Sequence, residues 1–183
     1  AHIPCKTVGG FTNLDDLPCI IAPCLTEEDS YDVHRLVEYV KRGGILYFSG
    51  GECHTLLREF FGIDTLERTK EIVTYLSPTA RAQEAFGHYN PTYPLHFDGT
   101  APLIDTNRVN PDWVLATLTL PYTHQHTSTF ASIHSNPPGI RTDTPVILSR
   151  ALGAGRVIWS ALPLECPDSY DHSHVLLSLL RDA

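Results

Sequence analysis

With 183 residues, 42% of them hydrophobic and 19% charged, the chain is long enough for one domain with a buried core. A net charge of −8 with no basic stripe argues against nucleic acid and anionic membrane surfaces as partners, because both need clustered Lys and Arg. The longest apolar runs, PCIIAP and VLATLTL, fall far short of the roughly 20 residues of a membrane span.

No basic start followed by an apolar stretch and a cleavage site is visible. The start at Ala1 and the lack of methionine point to a processed or partial chain. Cys5, Cys19, Cys24, Cys53 and Cys166 are odd in number and irregularly spaced. They indicate neither a disulfide framework nor a zinc site, and the usage fits a reducing cytoplasm.

In chain order, Asp15 to Pro23 (DDLPCIIAP) reads as a buried strand. Thr26 reads as the N-cap of a helix with Glu27, Glu28 and Asp29 in its first turn, at the positive end of the helix dipole. Val33, Leu36, Val37 and Val40 form its apolar face, and Gly43-Gly44 ends it. Ile45 to Phe48 (ILYF) is a second strand, running through Ser49-Gly50-Gly51 into a helix that buries Leu56, Leu57, Phe60 and Phe61. This alternation predicts right-handed crossovers and a parallel sheet, with ligand sites at the carboxyl ends of the strands.

The stretch of about 65–111 reads as a loop-rich antiparallel insertion with strands at Ile72 to Leu76 and Pro94 to Asp98. Strands resume at Trp113 to Leu120, Thr129 to Ile133, Pro145 to Ser149 and Arg156 to Ala161, the last two as a hairpin around Gly153-Ala154-Gly155. A final helix spans about Ser173 to Leu180.

A strand that turns sharply into a helix presents one side chain beside free backbone N–H groups, the arrangement of a nucleophile with an oxyanion hole. The stretch LVEYVKRGGILYFSGGECHTLL resembles the helix, strand and Gly-x-Cys-x-Gly elbow of class I glutamine amidotransferases. In that alignment the nucleophile's position holds Ser49 and the first elbow glycine is Tyr47. The family's His-Pro-Glu motif falls on Leu162-Pro163 within RVIWSALPLE, and only Glu165 matches the third member. A more specific resemblance lies in FASIHSNPPG, TDTPVILSRALGAGRVIWSALPLE and LLREFFGIDTLERT. These are similar to the amidotransferase-like β-galactosidase trimerisation domain that follows the TIM barrel in bacterial β-galactosidase and α-L-fucosidase-like glycoside hydrolases.

The resemblance implies a flavodoxin-like three-layer α/β sandwich with a mainly parallel central sheet, spanning 1–183 as one domain incomplete at its N-terminal edge. It implies an accessory, oligomer-building role beside a TIM-barrel catalytic domain of the same polypeptide. Catalysis would reside in that barrel, and the elbow Ser49, Gly50, Gly51 and Cys53 would be degenerate. The expected setting is cytoplasmic, with no cofactor.

Other residues carry weaker chemistry. Ser49 as a nucleophile needs a base within reach, and Cys53 on the first helical turn reads either as an activated thiol or as a packed one. A free-standing hydrolase or amidotransferase-like enzyme using Ser49 or Cys53 would need a histidine within about 3.5 Å of one of them. His124 and His126 form an HxH, as do His172 and His174; on a strand such pairs share a face and can begin a zinc site, but Pro and Ser nearby point to loops. His134, Ser135 and Asn136 form a polar loop ended by Pro137-Pro138, either a binding surface or a turn held by Asn136. A carbohydrate-binding module is the remaining alternative; it requires Trp113, Trp159 and the Tyr89 to Tyr93 cluster to be exposed and coplanar.

Overall fold

The computed structural model describes residues 7, 13–14, 16–26, 28, 32–123, 136–166 and 169–183. Four helices and nine strands occur among them: β1 (Cys19–Ala22), α1 (Val33–Lys41), β2 (Ile45–Ser49), α2 (His54–Phe61), β3 (Thr65–Arg68), β4 (Val73–Pro78), α3 (Gln83–Phe86), β5 (Leu95–Asp98), β6 (Pro102–Ile104), β7 (Val114–Pro121), β8 (Pro138–Leu152), β9 (Gly155–Ser160) and α4 (Tyr170–Arg181).

The main sheet has seven strands in the order β1-β2-β9-β8-β7-β4-β5, and β3 pairs with β6 in a separate two-stranded sheet. Only the β1–β2 and β2–β9 pairs are parallel. The other four ladders, β9–β8, β8–β7, β7–β4 and β4–β5, are antiparallel. The sheet is therefore mixed, which corrects the expectation of a mainly parallel one. The reason is connectivity. Crossover helices allow parallel neighbours, whereas β8 and β9 are joined across Gly153-Ala154, far too short for a crossover. β4 and β5, inside the loop-rich stretch, join the main sheet at one end; β1, half-buried along its length, lies at the other.

Helix α1 begins later than the Thr26 signal predicts. Its N-cap is Asp32, which accepts the Arg35 N–H at 3.2 Å. Thr26 instead accepts the Glu28 N–H at 3.3 Å in a local turn. The helix buries Leu36, Val37, Tyr39 and Val40. Burial pushes the Tyr39 phenol up to about 12, while its hydroxyl donates to the Leu17 carbonyl at 2.9 Å.

The largest fully buried side chains are Trp159, Tyr47, Phe48, Phe60 and Phe86. Phe48 packs against Phe60 and Phe61 at ring separations of 6.2 and 6.4 Å. Phe61 meets Trp113 edge-on at 5.9 Å, and the Arg150 guanidinium lies 4.9 Å from the Trp113 ring centre. Trp159 is core and Trp113 is covered by Phe61 and Arg150. Neither belongs to an exposed sugar-stacking face, in keeping with the strand-like apolar runs both sit in. No described helix is long and apolar enough to cross a membrane.

Candidate functional site

The carboxyl end of β2 forms the turn that the sequence singles out. Gly50 has φ +93°, a conformation an L side chain adopts only with strain, and it redirects the chain out of the sheet. A Cβ on Gly51 would sit 2.5 Å from the Pro102 Cβ, so β6 can approach only because that position is glycine. Cys53 then stands at the N-cap of α2 with its thiol turned to the Gly50 carbonyl at 3.6 Å, and His54 opens the helix.

Alternation along β2 puts Tyr47 and Ser49 on one face. The carboxylate of Glu165, in the loop after β9, binds both. Ser49 Oγ donates to Glu165 Oε1 at 2.5 Å and the Tyr47 hydroxyl donates to Glu165 Oε2 at 2.6 Å. Ser49 Oγ also accepts the Cys24 N–H at 2.9 Å, and the Tyr47 oxygen accepts the Leu164 N–H at 3.1 Å. The Cys24 sulfur lies 3.8 Å from Ser49 Oγ and 3.9 Å from Glu165 Oε1. To present its N–H, Cys24 takes a φ of +46°, the one left-handed non-glycine position among the described residues. Burial, and then the Glu165 charge, hold the Tyr47 phenol well above its ordinary pKa of 10.0.

The backbone of the turn is committed as well. The Gly50 N–H donates to the Ser160 carbonyl at 2.9 Å, and the Gly50 carbonyl accepts Trp159 Nε1 at 2.8 Å. An oxyanion hole needs an N–H aimed at empty space, and the N–H following Ser49 is already used. Ser49 itself is fully buried. Its hydroxyl pairs with a carboxylate and a backbone amide, and no histidine among the described residues is its partner. His54 points elsewhere, with Nδ1 2.9 Å from Thr65 Oγ1, which in turn donates to the Gly51 carbonyl at 3.0 Å. Gly51 and Cys53 are buried, and Glu52 is the exposed residue of the turn.

His124, His126, His134 and Ser135 lie outside the described residues. Asn136 is described and clamps the two ends of that segment. Its Oδ1 accepts from the Thr123 N–H at 3.0 Å and the Thr123 hydroxyl at 2.9 Å, and its Nδ2 donates to the Thr123 carbonyl at 2.7 Å. The Tyr75 hydroxyl donates to the Asn136 carbonyl. Asn136→Ala removes the three side-chain bonds and is expected to cost about 2–3 kcal/mol of stability, read from urea unfolding curves. A loss under about 0.5 kcal/mol would show that the clamp does not hold the fold together.

His172 and His174 fall in α4, where residues two apart diverge. His172 is buried against Phe97 and bonded to the His96 carbonyl, whereas His174 stacks on Tyr170. Among the described residues no group of three or more His, Cys, Asp or Glu could hold a metal ion. Cys24 was not legible as part of the site, because a cysteine after an apolar run reads as core. Tyr47 was legible in part, through its i, i+2 relation to Ser49.

No protein-family model matches the sequence, and no curated protein matches it. Solved structures do resemble it. Gan42B, a GH42 β-galactosidase from G. stearothermophilus, is similar over 92% of this chain and 22% of its own, at 17% identity and a TM-score of 0.54. Alpha-L-fucosidase isoenzyme 2 from Paenibacillus thiaminolyticus is similar over 94% of this chain and 26% of its own, at 15% identity and a TM-score of 0.66. The cytoplasmic protein STM3548 from Salmonella typhimurium matches over 92% of this chain and 72% of its own, at 11% identity and a TM-score of 0.61. The chain thus spans about a fifth to a quarter of the two glycoside hydrolases. At these identities the likeness establishes the fold: the chain folds like one domain-sized part of those enzymes.

Proposed function

We propose that this chain is a non-catalytic accessory domain of a bacterial glycoside hydrolase of β-galactosidase or α-L-fucosidase type, descended from an amidotransferase-like, flavodoxin-like frame. It packs beside a TIM-barrel catalytic domain of the same polypeptide in the cytoplasm and helps build a homo-oligomer. The observation that carries this reading is the coverage: nearly all of this chain matches 22–26% of such enzymes. The spent turn supports it, because Ser49 is buried, bound to Glu165 and followed by a paired N–H. Within the turn, Glu52 is the residue placed to meet a neighbour, and the segment that ends at Asn136 is the second candidate contact, with His134 and Ser135.

One observation favours a second reading. The chain covers 72% of the Salmonella protein, so the same fold also makes up most of a much shorter chain. A free-standing enzyme at Ser49 or Cys53 would then be the alternative; it requires a histidine partner, and among the described residues Ser49 pairs with Glu165 and the Cys24 N–H.

The experiment is hydrolysis of p-nitrophenyl β-D-galactoside, α-L-fucoside and acetate by the 183-residue chain and its Ser49→Ala variant, with mass measured by light scattering. The expected result is no turnover above background in either protein and a mass above that of the monomer. Turnover that disappears in Ser49→Ala would establish the enzyme reading, and a strictly monomeric chain would remove the assembly role.

A further inference from the structure

We draw no further inference here: the strongest candidate, the surface patch at the end of the β7–β8 ladder where Leu120 pairs with Ile140 beside the exposed Tyr122, carries nothing because nothing in the structure shows what covers it.

Discussion

Replacing Glu165 with alanine is expected to lower the unfolding free energy by about 2–4 kcal/mol, because two buried hydroxyl donors lose their acceptor at once. Tyr47 is fully buried and gives its proton to Glu165 Oε2; Ser49 is equally buried and gives its proton to Oε1. The Cys24 sulfur, 3.8 Å from Ser49 Oγ, is only a weak substitute acceptor. Glu165→Gln should cost only about 1 kcal/mol, since an amide oxygen still accepts from one hydroxyl. The difference between the two variants is the informative quantity. Denaturant unfolding followed by indole fluorescence reads it close to the site, because Trp159 Nε1 bonds the carbonyl of Gly50. Two equally mild variants, both within about 0.5 kcal/mol of the parent, would mean that Glu165 does not organise this turn.

In the proposed role the same carboxylate ties up the turn. In a nucleophile elbow the hydroxyl or thiol proton passes to a histidine and the following N–H waits for an oxyanion. Here the proton is held by a carboxylate, the N–H by Ser160, and the strand end is tied to the loop after β9. Ser49 Oγ and the Gly50 N–H thus act as cross-links between β2 and its neighbours.

How much of this was legible in the sequence follows from which forces are local. The apolar period of α1, the ILYF strand of β2 and the final helix are set by residues close in the chain, and each appears where its pattern places it. The start of α1 was misplaced because the chain offers two caps, Thr26 and Asp32, and only Asp32 stands next to the apolar face it must serve. Sheet order is not local. Nothing in β4, β5 or β7 states that they extend the edge beyond β8, and so a crossover pattern read from the first half predicted a parallel sheet. The clamp of Glu165 on Tyr47 and Ser49 joins positions more than a hundred residues apart. No spacing encodes such a contact, and only the loss of the elbow pattern, with Tyr47 in place of glycine, hinted at it.

Alkaline pH should expose the cost of burying these phenols. Tyr47 has its folded pKa raised well above 10.0, by burial first and by the Glu165 charge second. A raised folded value means that the stability tied to the neutral phenol is complete below pH 10.0 and is lost as pH climbs from there toward the folded pKa. In that window the unfolded chain releases a proton that the folded chain retains, so Tyr47 alone removes about 1.4 kcal/mol per pH unit. Tyr39, also buried and pushed up to about 12, adds a second contribution that ends near that pH. Tyr89, likewise pushed up to about 12, adds a third proton to the slope and Tyr75, also raised, steepens it further, so the unfolding free energy measured across this range should fall steeply. Tyr47→Phe is expected to begin less stable at neutral pH, since the Leu164 N–H and one Glu165 oxygen lose their partner. Its slope above pH 10.0 should be shallower by about one proton, which a merely destabilised variant would not show. Parallel curves for the two proteins would mean that Tyr47 ionises as readily in the folded chain as in the unfolded one, and that its bond to Glu165 is not the closed contact described here.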